Sequence, residues 1–259
     1  IEMIKAAACT GSSFELDTLA LLAGDSLEEA RQKLMPAIRA GLVFSGEKKE
    51  QGLSWEFIHD QVQQAAYSLM GDEEKKERHF RIGRLLLQNT APEDLQNNII
   101  RIMTHYNYGL DAVSGRAEKL KLAGLNLQAG NKAREAAAWG AAWKFLQTGA
   151  GLLPENSWQT DYALTYELYL GFFACSYLIG NREEAEKLFA CLEQNAQSAM
   201  DRAENYLVKS QVYSYTAHYV AAMEAGLKGL QYLGVRFPLK PGNLHMAKGV
   251  LKAKWQTRN

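Results

Sequence analysis

The chain has 259 residues, of which 47% are hydrophobic, so it can bury one large core or two smaller ones. Its 29 basic and 29 acidic residues balance, which argues against a dedicated nucleic-acid binder, since such proteins usually carry a basic excess. Only five prolines occur and no Gly/Ser-rich linker is present, so we expect a mostly ordered chain.

Three cysteines, Cys9, Cys175 and Cys191, lie far apart and form no Cys-x-x-Cys pair. This pattern argues against a disulfide framework or a zinc site and favours a reduced, cytoplasmic compartment. No apolar run reaches the roughly 18 residues needed to span a bilayer, and the first residues do not resemble a signal peptide. Because the chain starts with Ile1 rather than methionine, we expect it to be a piece of a longer protein.

Residues 1–70 predict a small module of three helices followed by a β-hairpin. A capping box of Ser26 and Glu29 opens the third helix, and Pro36 predicts a kink or a break within it. The apolar stretch 42–44 and the stretch 53–57, in which apolar and polar residues alternate, flank a polar turn and are typical of paired strands. This order of elements is that of a winged-helix domain. The helices are predicted over Met3–Cys9, Phe14–Ala23 and Ser26–Ala40.

A winged helix can read DNA by placing its last helix in the major groove. Here, however, residues 1–70 contain six Lys/Arg and ten Asp/Glu, a net charge of −4. Phosphate contacts need a positive surface. A packing or relay module is therefore the favoured interpretation, and a DNA-binding regulator with a helical-repeat sensor domain is the alternative.

The stretch from Phe57 to Leu69 joins this module to the rest of the chain. Phe57 ends the second strand, and Asp60 is predicted to cap the next helix, where a carboxylate can accept hydrogen bonds from free backbone N–H groups. The apolar side chains of this helix are predicted to form a buried stripe. Its members are Val62, Ala65, Ala66 and Leu69.

The adjacent pair His59–Asp60 has a second interpretation, the metal-binding dyad of a phosphohydrolase. Such a site needs further His and Asp ligands, and the five histidines of the chain show no clear ligand order. We therefore favour the structural role for His59 and Asp60, and likewise a packing or hydrogen-bonding role for His79. We expect no catalytic residue, no metal and no cofactor.

Two motifs in this region resemble a known family. The first is Phe57-x-His59-Asp60-x-x-Gln63-x-Ala65-Ala66-Tyr67, and the second is His79-x-x-Ile82-Gly83-Arg84-Leu85-Leu86. Both are similar to the region that follows the nucleotide-binding core in bacterial signalling ATPases of the STAND class. The likeness is greatest to multidomain Ser/Thr protein kinase–ATPase–sensor histidine kinase proteins. Ala6–Phe14 also resembles the start of that post-ATPase region.

The resemblance implies a non-catalytic segment that couples an upstream kinase and ATPase to downstream sensor domains by docking or by binding a protein partner. The kinase signatures and the phosphate-binding motif GxxxxGK[ST] do not occur in this sequence. We therefore expect no enzymatic activity of the chain itself. The motif residues to which the resemblance assigns a structural role are Phe57, His59, Asp60, Gln63, Ala66, Tyr67, His79 and Gly83.

Residues 71–235 are patterned as consecutive helices joined by short turns, which predicts an α-α superhelical array similar to tetratricopeptide repeats. Small residues at helix crossings match the repeat template at Ala142, Ala185 and Ala222, at intervals of 43 and 37 residues. The helices are predicted over Asp72–Asn89, Glu93–Gly109, Ser114–Glu135, Ala137–Leu153, Trp158–Ile179, Arg182–Met200, Asp201–Ala217 and Tyr219–Leu233.

Aromatic residues recur at helical spacing between Tyr162 and Tyr177, a pattern more typical of a core than of a ligand site. If part of it lines a concave face, Tyr166 and Tyr169 are the candidate partner contacts. Residues 236–259 carry six Lys/Arg and no acidic residue, with an amphipathic helical pattern. Such a segment can bind a membrane surface or an acidic partner. We favour a repeat helix whose neighbour lies beyond residue 259.

Overall fold

The computed structural model describes residues 1–49 and 52–237. The mostly α-helical fold class is confirmed. The chain divides into two compact units, Ile1–Lys132 and Ala133–Asn259. The predicted domain boundaries at residues 70 and 235 stay predictions, and most of the segment 236–259 lies outside the described residues. None of the helices in the described ranges combines the length and apolarity that crossing a bilayer requires.

The described ranges contain thirteen α-helices and three β-strands. The helices are α1 Glu2–Thr10, α2 Leu16–Ala23, α3 Leu27–Arg39, α4 Asp60–Ser68, α5 Asp72–Asn89, α6 Leu95–Tyr108, α7 Arg116–Glu135, α8 Trp139–Gly151, α9 Ser157–Thr160, α10 Tyr162–Leu178, α11 Arg182–Asn195, α12 Ala199–Tyr215 and α13 Tyr219–Tyr232. The strands are β1 Ser13–Glu15, β2 Val43–Lys49 and β3 Gly52–Phe57.

The first three helices of unit 1 pack on a small antiparallel sheet with the strand order β1-β3-β2. The predicted hairpin is present as β2 and β3. The predicted helix at Phe14–Ala23 is wrong at its start, because Phe14 lies in β1 opposite Trp55 of β3. Two tertiary interactions override the helical pattern at Phe14. Its backbone pairs with the edge of a strand, and its ring is buried against Phe57 with 5.6 Å between ring centroids.

Helix α3 begins with the predicted capping box. The Ser26 hydroxyl accepts a hydrogen bond from the Glu29 backbone N–H, and the Glu29 carboxylate accepts one from the Ser26 backbone N–H. The predicted break at Pro36 does not occur, since α3 continues through Pro36 to Arg39. Ala30, Leu34 and Ala37 face the core of unit 1 and hold this helix in place on both sides of the proline.

Helices α5 and α6 pack closely because of one glycine. A Cβ atom at Gly83 of α5 would lie 2.7 Å from the backbone nitrogen of Tyr106 in α6. Only a residue without a side chain permits this approach. The motif glycine therefore sets the distance between the two helices.

Unit 2 contains the same interhelical turn three times, at residues 137, 180 and 217. In each case the turn residue has a positive φ, 54° at Ala137, 89° at Gly180 and 61° at Ala217. In each case its N–H bonds to the carbonyl three residues earlier, and the next N–H bonds to the carbonyl five residues before it. This is the hydrogen-bond pattern of a helix that ends in a left-handed residue. The turns join α7 to α8, α10 to α11 and α12 to α13.

The helix after each turn is buried in the same register. The fifth residue after the turn residue is Ala142, Ala185 or Ala222, and each of these alanines is at most 4% exposed. The eighth and twelfth residues are also buried; they are Phe145 and Gly149, Leu188 and Leu192, and Ala225 and Gly229. These alanines are the residues that the sequence predicts at helix crossings. Their intervals of 43 and 37 residues are also the intervals between the turn residues 137, 180 and 217.

The other predicted helices differ from the observed ones mainly at their ends. The predicted helix Trp158–Ile179 is divided, because α9 ends at Thr160 and α10 begins at Tyr162. The predicted boundary between Met200 and Asp201 lies earlier, since a capping box of Ser198 and Asp201 opens α12 at Ala199.

Candidate functional site

The motif that joins the module to the helices begins as predicted but is capped differently. Phe57 is the last residue of β3 and is buried. His59 is the N-cap of α4 and makes no capping hydrogen bond through its side chain, whereas Asp60 is the first helical residue. The predicted N-cap role of Asp60 is therefore wrong. Its carboxylate lies in the first turn, where it interacts favourably with the helix dipole.

The predicted buried stripe of α4 is only partly buried. Ala66 is 5% exposed and packs in the core, but Leu69 is 65% exposed and Ala65 is also exposed. Gln63 fixes the helix instead, because its side-chain amide donates a 2.7 Å hydrogen bond to the backbone carbonyl of Ala8 in α1. This motif residue thus connects α4 to the first helix of the chain.

The exposed side of α4 borders an apolar groove in unit 1. The groove has a volume of about 580 Å³ and lies among α1, α3 and α4. Val62, Ala65 and Leu69 line one side, and Ile4 and Leu42 belong to the rest of its wall. An apolar groove that is open to solvent is a feature of surfaces that bind another protein segment.

Tyr67 of the first motif and His79 of the second meet in a polar cluster between α4, α5 and α6. The Tyr67 hydroxyl lies 3.1 Å from Nε2 of His79, and Nδ1 of His79 lies 2.9 Å from Nδ1 of His105. The Tyr108 ring packs on His79 with 4.5 Å between ring centroids. His79 and His105 are 9% and 7% exposed. The predicted hydrogen-bonding role of His79 stays a prediction, and this geometry is what supports it.

Burial disfavours the charged form of the two imidazoles. It lowers the pKa of His79, and burial together with the nearby His79 and Arg101 charges lowers the pKa of His105 to about 4. A hydrogen bond between two Nδ1 atoms also requires that one of them lacks a proton. Double protonation would break this bond and place two positive charges side by side. The His79–His105 hydrogen bond therefore joins α5 to α6 through two imidazoles whose charged form is disfavoured by burial.

The residues around the cluster bear on the alternative interpretation of a metal dyad. The described residues contain no group of three or more His, Cys, Asp or Glu side chains placed to hold a metal ion. The dyad His59–Asp60 is exposed and lies outside the cluster. Burial raises the pKa of the Cys9 thiol to about 11, so this nearby cysteine is a weak nucleophile.

The two tyrosines of unit 2 that were predicted as partner contacts have different environments. Tyr166 is 7% exposed, and its hydroxyl donates to the Asp201 carbonyl and lies 3.0 Å from Oδ1 of Asn205. The structure therefore places Tyr166 in the core, where it ties α10 to α12. Tyr169 is half-buried beside Trp158, with 5.0 Å between ring centroids. A contact of Tyr169 with a partner stays a prediction.

Sequence reasoning did not find His105, Tyr108 or the groove. His105 is 26 residues from His79, and the two meet only because α5 and α6 pack side by side. No periodic pattern signals such a pair. The spacing of Leu69 from the apolar residues of α4 predicts a buried position, and only the tertiary packing shows that this side of the helix is uncovered.

The chain is similar to part of a signal-transduction protein. It is 23% identical over 290 aligned residues to "Hybrid signal transduction histidine kinase G" of Dictyostelium discoideum. The match covers 90% of this chain and 8% of that protein. The chain thus spans a small fraction of the relative it matches. No family model matches the chain, and no solved structure matches it.

Proposed function

We propose that this chain is a non-catalytic relay segment of a larger signal-transduction ATPase or kinase. In this proposal, residues 1–70 are a winged-helix-like module and residues 71–235 a tetratricopeptide-like array that together dock other domains or a protein partner. The parent is a STAND-class Ser/Thr kinase–ATPase–sensor histidine kinase protein, as the two motifs imply. The reduced, cytoplasmic compartment belongs to the same proposal.

The similarity to a short stretch of a hybrid histidine kinase is the observation that carries this proposal. It extends over 90% of the chain, so both units are included in the similar segment. The element order of unit 1, with three helices and a β2–β3 hairpin, supports the winged-helix assignment. The three identical turns of unit 2, each followed by a buried alanine, support the repeat assignment.

The apolar groove is the surface we assign to docking. Leu69 is largely exposed beside it, although leucine is usually buried. Large exposed apolar surfaces often mark protein–protein contacts. We therefore expect that a charge at Leu69 weakens docking without unfolding α4.

The test is a binding measurement between this chain and the remaining domains of its parent protein. Leu69→Glu should weaken binding at least about tenfold, because it places a charge in an apolar contact. Gln64→Glu is the matched control, since Gln64 is an exposed residue of the same helix that does not line the groove. Calorimetric titration with ATP, with ADP and without nucleotide gives the affinities. Absence of binding in all three states would contradict the relay function.

A further inference from the structure

A polar cleft lies in unit 1, with β1, β3 and α2 on one side and α5 and α6 on the other. Two adjoining cavities of about 110 and 260 Å³ form it, and both are lined by Glu15, Thr18, Leu86 and Arg101. Together the cavities reach the lower end of the range of about 300–1,000 Å³ that is usual for small-molecule sites. The cleft shares no lining residue with the apolar groove beside α4.

Two buried polar side chains line the smaller cavity. Ser54 of β3 is 4% exposed and His105 of α6 is 7% exposed. Among the residues that the structure describes, the Ser54 hydroxyl has no hydrogen-bond partner. Nδ1 of His105 is engaged by His79 at 2.9 Å, which leaves Nε2 as the ring nitrogen without a partner among the same residues. Because a buried polar group without a partner is costly, a polar molecule in this cavity would be stabilised by both groups.

The cleft also holds one carboxylate and one guanidinium group. Glu15 lies opposite Ser54 in the β1–β3 pair, so their side chains project from the same face of the sheet. Arg101 precedes His105 by one turn of α6, which places both on one side of that helix. Within residues 1–49 and 52–237, neither Glu15 nor Arg101 has an ion-pair partner, and the Glu15 carboxylate accepts a hydrogen bond only from the Thr18 hydroxyl, at 3.4 Å.

The larger cavity adds an apolar wall and a further carboxylate. Leu21 of α2 and Leu85 of α5 belong to the wall, and Asp94 lies at the same cavity. A simple anion is disfavoured here because Glu15 and Asp94 repel it, and a simple cation is disfavoured because Arg101 repels it. A molecule that carries both charges on an apolar body complements all of these groups.

We propose that the cleft binds an apolar α-amino acid, which is a small zwitterion with an apolar side chain. Arg101 pairs with the carboxylate of the ligand, a group that the planar guanidinium fits well, and Glu15 pairs with its ammonium group. Ser54 and His105 provide hydrogen bonds at the inner end, and the leucines of the larger cavity contact the side chain of the ligand. This site is independent of the docking function assigned to the groove, so either assignment can fail without the other.

Calorimetric titration of the full chain with L-leucine, L-valine and L-phenylalanine tests the site. We expect at least one of them to bind with a Kd below about 1 mM. For the tightest ligand, the amine that lacks its carboxylate and the acid that lacks its ammonium group are the matched comparisons; for L-leucine these are isoamylamine and isocaproate. Each should bind at least about tenfold more weakly, because one charge of the cleft is left unpaired.

Variants of the two charged residues assign the roles. Arg101→Gln should weaken binding of both the amino acid and the acid analogue at least about tenfold, because both lose the partner of their carboxylate. Glu15→Gln should weaken binding of the amino acid but strengthen that of the acid analogue, because it removes a repulsive charge; loss of folding cannot produce these opposite changes. Arg84→Gln is the matched control, since Arg84 is an exposed residue of α5 outside the cleft, and it should leave all affinities unchanged.

The histidine rings report where the ligand binds. In two-dimensional NMR spectra the ring signals of His105 should shift when the amino acid is added, and those of His218, an exposed residue of unit 2, should not. Three results would overturn the proposal. The first is no binding of any of the three amino acids at about 10 mM. The second is equal weakening by Arg101→Gln and Arg84→Gln, and the third is binding that leaves the His105 signals unshifted.

Discussion

Gly83 shows how a single missing side chain sets the contact between two helices. Replacing it with alanine places a Cβ atom 2.7 Å from the Tyr106 backbone nitrogen, so α5 and α6 must move apart. We expect Gly83→Ala to lower the free energy of unfolding by about 2 kcal/mol, the range seen for overpacked cores. Urea denaturation followed by circular dichroism measures this change.

Gly124→Ala is the control for this substitution. Gly124 lies within α7, and a Cβ atom there meets no other atom within 4 Å. Because alanine is the better helix former, Gly124→Ala should raise the free energy of unfolding by up to about 1 kcal/mol. Equal effects of the two substitutions would show that helix propensity, and not the close contact, determines the result at Gly83.

The buried histidines predict that stability depends on pH. Burial lowers the pKa of His105 from 6.5 to about 4 in the folded chain, so below pH 6.5 the unfolded chain binds more protons. Stability therefore falls as the pH decreases from 6.5 towards 4. From pH 7.5 to pH 5 the loss from His105 alone should be about 2 kcal/mol.

Urea titrations at these two pH values, with hydrogen exchange in α5 and α6 as the readout, check this prediction. His105→Asn removes the titrating group, and the pH-dependent loss should shrink by about the same amount. His59→Asn changes an exposed histidine and should leave the pH dependence intact. A full pH dependence in the His105→Asn variant would show that other groups cause it.

At the scale of elements, the three interhelical turns differ in the residue type that adopts the left-handed conformation. A left-handed conformation costs an alanine roughly 1 kcal/mol, whereas a glycine adopts it without a steric penalty. Ala137 and Ala217 hold this conformation in two turns, and Gly180 holds it in the third. We expect Ala217→Gly to raise the free energy of unfolding by up to about 1 kcal/mol and Gly180→Ala to lower it by a similar amount.

Thermal and urea denaturation of the single variants measure these effects. Ala190→Gly, at an exposed position within α11, is the control for the entropy of an added glycine, and it should destabilise the chain by about 1 kcal/mol. If Ala217→Gly destabilises the chain as much as this control does, the left-handed strain at residue 217 does not affect stability.

At the scale of the whole molecule, charge predicts which partners the chain avoids. Residues 1–70 have a net charge of −4, and α3 begins with Glu28 and Glu29. An acidic module repels phosphates, so we expect no duplex-DNA binding at micromolar concentrations, even at low salt. A gel-shift assay at 50 mM salt checks this. Micromolar binding that weakens as salt increases would favour the DNA-binding regulator instead.

The sequence predicts the elements of this molecule better than their contacts. The sequence predicts helix α5 with the bounds that the structure shows, since its apolar periodicity and the turn residues that follow it are local signals. The local pattern predicts a helix at Phe14, because the strand pairing of Phe14 with Trp55 is a tertiary interaction that this pattern does not contain. The sequence predicts a core position for Leu69, and no local pattern points to His105, for the same reason: the side of a helix that a neighbour covers is decided by packing between distant segments.

The repeated turn has a consequence for how the protein opens. The turns at residues 180 and 217 join the packed helix pairs α10–α11 and α12–α13, and where packed pairs follow one another, stability is approximately a sum of terms for each pair and for its neighbours. The α10–α11 hairpin packs on α8 and on α12, whereas the main contact of α13 within the described ranges is with α12. Unfolding of unit 2 should therefore start by fraying at α13 and proceed inward, and the α10–α11 hairpin should be the last cooperative element to open.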